Sequence, residues 1–287
     1  MLIDSPDPKG TSAAMVPAAH PRDVLAGFVR ARVDDRVLFA EDVDEAIALV
    51  ADQVSGDVVM LDVRADLATS TASPGFRVVA AQVDLAHTLA AVEAEFVAGD
   101  AELLIVPGVV DSTGEVLPLP RLAAIAHRHG ARLLVDAGQL APRRVLNLTS
   151  HGIDYVVLSG ATIAGFGPAA LIGRGDRLPQ ADSVHVDGSV AHGFAQAALA
   201  IADLGFDWIG LHEESLSAVV DEAVRALPGA RRLRLWPDAR DRVGLTEIAV
   251  AGRFEPVPIR WGVGTGHKEI ARQLDVLAHV VFEQEAS

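Results

Sequence analysis

The fold is decided by residues 113–174, "TGEVLPLPRLAAIAHRHGARLLVDAGQLAPRRVLNLTSHGIDYVVLSGATIAGFGPAALIGR", where helical and strand patterns alternate. Residues 119–130 predict a helix, because Pro120 suits a first helical turn, apolar residues recur at helical spacing and Gly130 suits the position after a helix end. Three short apolar strands are predicted after it, at 131–136, 154–160 and 168–174. The first of these strands ends in a carboxylate, and a Gly-rich loop precedes the last.

The chain before this stretch alternates in the same way. Helices are predicted at 43–54 and 86–98, and strands at 57–63, 76–84 and 101–108. Nearly continuous apolar strands separated by helices are typical of a mostly parallel sheet that is covered on both faces. The sequence therefore predicts a large α/β domain.

Past residue 185 the pattern changes. Two helices are followed by predicted strands at 232–237 and 243–251, and by a final helix from about 267. One face of that helix carries Ile270, Leu274, Leu277 and Val281. We expect an N-terminal arm at 1–20, a large α/β domain at 21–185 and a small α+β C-terminal domain at 186–287.

Composition excludes several classes of protein. The chain has 287 residues, a formal net charge of −15 and no cysteine. The negative charge would repel a phosphate backbone, so no nucleic-acid partner is expected, and disulfides and thiolate metal sites are excluded. No metal-ligand spacing stands out. The first residues lack the pattern of a signal peptide, and no apolar run reaches the ~18 residues of a membrane helix. We expect no membrane association and a cytoplasmic location.

The motifs of residues 113–174 resemble those of a known family. The order is Thr-Gly, a helix, His-Gly, a strand to Asp-Ala-x-Gln, a second apolar strand and a Gly-rich loop. It is similar to the class V aminotransferase and cysteine desulfurase group of fold type I pyridoxal-phosphate (PLP) enzymes. The resemblance implies a fold type I PLP-transferase-like α/β architecture with a small C-terminal domain. It also implies a homodimer, because the sites of this family form at a dimer interface.

Three residues match positions that the family uses. Asp136 stands where an aspartate keeps the cofactor's ring nitrogen protonated, and Gln139 where a donor meets the ring oxygen. Arg260 matches the arginine that binds the substrate carboxylate, a task suited to a bidentate guanidinium. The resemblance therefore implies that part of a cofactor and substrate pocket is kept.

Weaker candidates surround this trio. Asp111 stands where an asparagine contacts the ring oxygen, and Ser159 and Ser189 are the remaining candidates for phosphate contacts. His185 and His192 flank the turn that contains Ser189 and are candidates for substrate binding, with surface loop histidines as the alternative.

The residue that the family's chemistry depends on is missing. The Schiff-base lysine aligns with Thr162, and the histidine before it with Ala161. Threonine cannot form an imine. The chain has two lysines, Lys9 and Lys268, and neither is expected to reach the site.

The phosphate site also differs. The turn that should offer backbone N–H groups to phosphate aligns with "AEDVDEA", which carries Asp42, Asp44 and Glu45. These carboxylates would repel a dianion. A ring-stacking histidine is expected between 60 and 72, and that region contains none.

Three functional hypotheses follow. The first is a degenerate relative without covalent PLP chemistry, a pseudoenzyme that acts as a partner protein, as a homodimer or paired with an active paralogue. The second is an enzyme that acts on a small amino or keto acid, with PLP or pyridoxamine phosphate held non-covalently or with no cofactor. The third is a structural module only.

Overall fold

A computed structural model describes residues 19–63 and 76–285 of the chain. The predicted N-terminal arm and the segment expected to hold a stacking histidine lie largely outside these residues. The helices are α1 (Pro21–Phe28), α2 (Val43–Ala51), α3 (Leu85–Ala98), α4 (Leu119–Arg128), α5 (Leu148–His151), α6 (Gly160–Ala164), α7 (Gly188–Leu204), α8 (Phe206–Ala226) and α9 (His267–Glu285). The strands are β1 (Asp35–Ala40), β2 (Asp57–Asp62), β3 (Phe76–Ala80), β4 (Ala101–Pro107), β5 (Arg132–Asp136), β6 (Tyr155–Ser159), β7 (Ala169–Arg174), β8 (Ala230–Arg232), β9 (Leu245–Val250) and β10 (Val257–Arg260).

Seven strands form one sheet in the order β1-β7-β6-β5-β4-β2-β3. Strand β7 is antiparallel to both of its neighbours, and the other pairings are parallel. The carboxyl ends of the six remaining strands therefore meet at one edge, the edge at which ligands bind in open α/β sheets. This confirms the predicted mostly parallel α/β sheet.

Both faces of the sheet are covered, which explains why its strands are apolar throughout. One buried cluster packs β4, β5 and β6 against α1, α3, α4 and α7, with Leu104, Val135 and Phe194 among its members. A second cluster packs the other face against α2, with Leu38, Val50 and Leu134 among its members. Helix α4 follows the prediction, since Leu122 is fully buried and Gly130 adopts a φ of 76°.

The C-terminal part adds a three-stranded antiparallel sheet in the order β10-β9-β8. It packs against α8 and α9 through a third buried cluster, which includes Trp261 and three of the four residues predicted for the inner face of α9. The predicted domain boundary between residues 185 and 186 stays a prediction. Helix α7 follows that boundary in the chain and packs in the core of the seven-stranded sheet. Helix α8 is the first element that contributes to the third cluster.

Two predicted strands are wrong in extent. The strand predicted at 76–84 ends at Ala80, because Asp84 caps α3 by accepting a hydrogen bond from the backbone N–H of His87 at 2.8 Å. The strand predicted at 232–237 is β8, which ends at Arg232. Its apolar residue Trp236 is fully buried from a loop, in the core of the seven-stranded sheet. A buried loop residue therefore contributed to the apolar pattern that predicted a strand at 232–237.

Among the described residues, no single helix has the length and apolar character to cross a membrane. Helices α7 and α8 meet those requirements only as a pair, bent by 77°.

Candidate functional site

Asp136, the last residue of β5, lies at the carboxyl edge of the sheet. Its Oδ1 accepts a hydrogen bond from the backbone N–H of Gly138 at 2.9 Å. Burial raises the pKa of Asp136, and the carboxylates of Asp111 and Asp44 raise it further, against the opposing effect of the Gly138 hydrogen bond. Three carboxylates from three segments therefore share this part of the edge.

Gly138 lies against the residue at the predicted lysine position. A Cβ on Gly138 would stand 3.2 Å from Oδ1 of Asp136, 3.3 Å from Cβ of Ser159 and 4.0 Å from Oγ1 of Thr162. A side chain at this position would crowd Asp136 and Ser159 and would contact Thr162. The structure thus brings together Asp136, Ser159 and Thr162, as the sequence predicts.

Thr162 is exposed, and its hydroxyl is engaged locally. Ser159 caps α6, because its Oγ accepts a hydrogen bond from the backbone N–H of Thr162 at 3.2 Å. The Thr162 hydroxyl donates to the same oxygen at 3.2 Å. Ser159 is therefore used as a helix cap, and its Oγ accepts both hydrogen bonds from Thr162.

The N-terminus of α2 lies at the same carboxyl edge of the sheet. Carboxylates of the same segment accept hydrogen bonds from its backbone N–H groups. The carboxylate of Asp42 accepts a hydrogen bond from the backbone N–H of Glu45 at 2.8 Å. The carboxylate of Glu45 accepts one from the backbone N–H of Glu41 at 2.6 Å. Two N–H groups that an anion would need are already bonded to negative charge, so this turn does not fit a phosphate.

Arg260 is the last residue of β10 in the C-terminal sheet. Its backbone N–H donates to Oε1 of Gln273 on α9, and the Gln273 amide donates to the Arg260 carbonyl, both at 2.9 Å. Its side chain is exposed and makes no hydrogen bond or ion pair with the rest of the described chain. Loss of water raises the pKa of Asp111, while the charges of Arg260 and Arg143 lower it, which indicates that Arg260 approaches the large sheet's edge.

The remaining candidates lie elsewhere or are engaged. Gln139 is half-buried, with no side-chain hydrogen bond inside the described ranges. Ser189 donates from its hydroxyl to Asp187 at 2.5 Å and so helps to cap α7. His185 and His192 line a separate cleft of about 860 Å³, together with Arg22 and Asp182. The lining of that cleft does not include Asp136, Thr162 or Arg260, so the binding roles of these histidines stay predictions.

Sequence reasoning missed the buried contact that joins the two sheets. Glu213 of α8 is 3% exposed and accepts hydrogen bonds from Arg143 at 2.6 Å and from Arg144 at 3.1 Å. Arg143 also donates to the carbonyl of Trp261 at 2.7 Å, next to Arg260. The adjacent arginines after Gln139 were visible in the sequence, but nothing there indicates which carboxylate they meet.

No group of three or more His, Cys, Asp or Glu side chains in the described ranges is arranged to hold a metal ion.

The family model for aminotransferase class-V matches residues 11–205, and the chain belongs to that family. It is cysteine desulfurase-like within it. A probable cysteine desulfurase of Mycolicibacterium paratuberculosis is 25% identical over 83% of this chain and 40% of its own length. One from Halalkalibacterium halodurans is 26% identical over 51% of this chain and 34% of its own. The chain thus spans less than half the length of these two relatives.

Solved structures show the same fold. A NifS-like protein from Rickettsia africae superposes with a TM-score of 0.78 at 13% identity, covering 90% of this chain and 85% of its own. A cysteine desulfurase from Thermococcus onnurineus has a TM-score of 0.74 at 17% identity, covering 92% and 83%. The predicted fold type I PLP-transferase-like architecture is confirmed, and the family is PLP-dependent.

Proposed function

We propose that this cysteine desulfurase-like chain does not form the usual lysine–PLP aldimine and acts as a non-catalytic partner protein, a pseudoenzyme. The observation that carries the proposal is the position of Thr162, which lies with Ser159 beside Gly138 and Asp136. A hydroxyl in this place cannot form an imine, and Ser159 already accepts its hydrogen bond. Of the two lysines in the chain, Lys268 lies exposed in the first turn of α9.

The fit to PLP is partial. Asp136 suits the protonated ring nitrogen, because its carboxylate can accept a charge-assisted hydrogen bond from it. The phosphate end does not fit, because Asp42 and Glu45 already accept the hydrogen bonds of the α2 N-terminus. These carboxylates are exposed or partly exposed, so solvent weakens their repulsion of a phosphate without removing it. Any PLP or pyridoxamine phosphate is therefore proposed to bind non-covalently.

Titration with PLP, followed by absorbance, tests this proposal. The expected result is the spectrum of free PLP added to that of the protein. A stoichiometric aldimine band that borohydride removes would overturn the proposal.

The partner is proposed to be a second copy of the chain, or an active paralogue that supplies its lysine across the interface. The proposed location is the cytoplasm. Light scattering of the purified chain tests the first alternative, since a homodimer has twice the mass of the 30.1 kDa chain. A mass of one chain, together with no change on mixing with an active class V protein, would contradict both alternatives.

A second candidate function is an enzyme that acts on a small amino or keto acid without the lysine, with or without non-covalent cofactor. The guanidinium of Arg260 favours it, because a guanidinium that has no partner among the described residues is suited to a substrate carboxylate. Calorimetry with small carboxylates should then show binding that Arg260→Ala abolishes. If Asp136→Asn and Gln139→Ala change only stability and no ligand binds, the third hypothesis, a structural module, is favoured instead.

A further inference from the structure

A second cleft opens at the opposite edge of the seven-stranded sheet, where β1 and β5 begin and β7 ends. Its volume is about 740 Å³, and its charged lining consists of three arginines, Arg36, Arg132 and Arg174, and two aspartates, Asp34 and Asp176. We call it the arginine cleft. In a chain with a net charge of −15, it gathers more positive than negative side chains.

One of the three guanidiniums forms a bidentate pair. Arg132 donates to both carboxylate oxygens of Asp176, at 2.9 and 2.6 Å, and also to the hydroxyl of Tyr155. The Arg132 guanidinium holds the pKa of Asp176 below its usual range. Both oxygens of Asp176 therefore have a donor in this fork-to-fork pair.

The guanidinium of Arg174 is not satisfied within the described ranges. It donates no hydrogen bond there, and its two ion pairs are long, 3.5 Å to Asp34 and 4.0 Å to Asp154. Asp154 already accepts hydrogen bonds from other groups, from His127 at 2.8 Å and from the backbone N–H of Leu133 at 3.0 Å. The side chain of Asp34 is 73% exposed, so it screens Arg174 only weakly.

Arg36 is also short of acceptors. It donates one hydrogen bond, to the carbonyl of Gln180 at 2.9 Å, and it forms no ion pair with a described carboxylate. The stem of Arg36 passes over Gly175, which follows β7, since a Cβ there would stand 2.7 Å from Cδ of Arg36. Both residues line the cleft.

We propose that the arginine cleft binds an oxyanion of the phosphate class, held by the guanidiniums of Arg36 and Arg174. Each guanidinium has five N–H donors in a fork that matches the oxygens of phosphate, and most of these donors have no acceptor in the part of the chain that the structure describes. Arg132 stays bound to Asp176 and forms one wall. The bound anion competes with Asp34 for Arg174.

Inorganic phosphate and glycerol phosphate are titrated by calorimetry at low ionic strength into the whole chain and five variants. Arg174→Gln and Arg36→Gln are each expected to weaken binding at least tenfold. Asp34→Asn is expected to strengthen it, because it removes the competing carboxylate. The control Arg272→Gln, in an exposed pair with Glu269 on α9, should leave the affinity unchanged.

Equal affinity in all variants, or no binding to the unmodified chain, would overturn the proposal. Weakening by Asp34→Asn would do the same. Tighter binding of glycerol phosphate than of inorganic phosphate indicates a phosphate monoester as the ligand, and the reverse order indicates the free ion. Asp136→Asn changes the site at the carboxyl edge of the sheet, and it should not alter the phosphate affinity of the arginine cleft.

Discussion

The carboxylate of Asp42 caps α2 by accepting a hydrogen bond from the backbone N–H of Glu45 at 2.8 Å, and the side chain of Glu45 reaches back to the N–H of Glu41. This reciprocal arrangement resembles a capping box, which satisfies N–H groups that a helix leaves unbonded. It stabilises α2 with negatively charged groups, which repel a phosphate. Thr162 of α6 lies at the same edge of the sheet as this turn.

Neutralising the α2 turn should let phosphate approach. In the double variant Asp42→Asn, Asp44→Asn, asparagine still caps the helix while two negative charges are removed. Non-covalent PLP is then expected to bind roughly tenfold more tightly, a gain of about 1.4 kcal/mol, since solvent screens these exposed groups. Calorimetry measures the change, and Asp207→Asn in the first turn of α8 is the control. Unchanged affinity would show that these charges do not keep phosphate away.

Asp136 should make stability depend on pH in a defined direction. Because burial raises its pKa, the folded chain binds the proton more tightly than the unfolded chain, whose aspartate titrates near 3.9. Between the two pKa values the free energy of unfolding falls as pH rises. Asp136→Asn should therefore be more stable than the unmodified chain at neutral pH, and the difference should vanish below about pH 3.9. Urea unfolding across this range measures it, and a variant less stable at neutral pH would contradict the assignment.

Glu213 should be among the costliest carboxylates to remove. Glu213→Gln leaves Arg143 and Arg144 without their buried counter-charge, and breaking such a pair costs about 3–5 kcal/mol. The matched control is Glu269→Gln, which breaks an exposed pair with Arg272 of similar length, 2.8 Å, and should cost less than about 1 kcal/mol. Urea denaturation gives both values. Equal losses would mean that Glu213 does not hold the two sheets together.

The sequence predicted the large sheet because its strands are apolar on both faces and its helices carry turn and cap residues. The resemblance to the family also placed Asp136, Ser159 and Thr162 in one site, through the family positions that they match. The sequence did not predict the pairing of Glu213 with Arg143, because two residues 70 positions apart meet only after the two sheets pack. Trp236 shows the other limit, since periodicity does not distinguish a buried loop from a strand.

The most direct measurement is peptide mapping by mass spectrometry after PLP and borohydride treatment, with Thr162→Lys as the comparison. Borohydride fixes any imine as a stable pyridoxyl group on the lysine that formed it. We predict no stoichiometric label on the unmodified chain, only minor labelling of the N-terminus, Lys9 and Lys268. Labelling at position 162 should appear in Thr162→Lys if Asp136 still orients the ring. A stoichiometric pyridoxyl group on Lys268 of the unmodified chain would contradict the central claim, because it would mean that another lysine forms the aldimine.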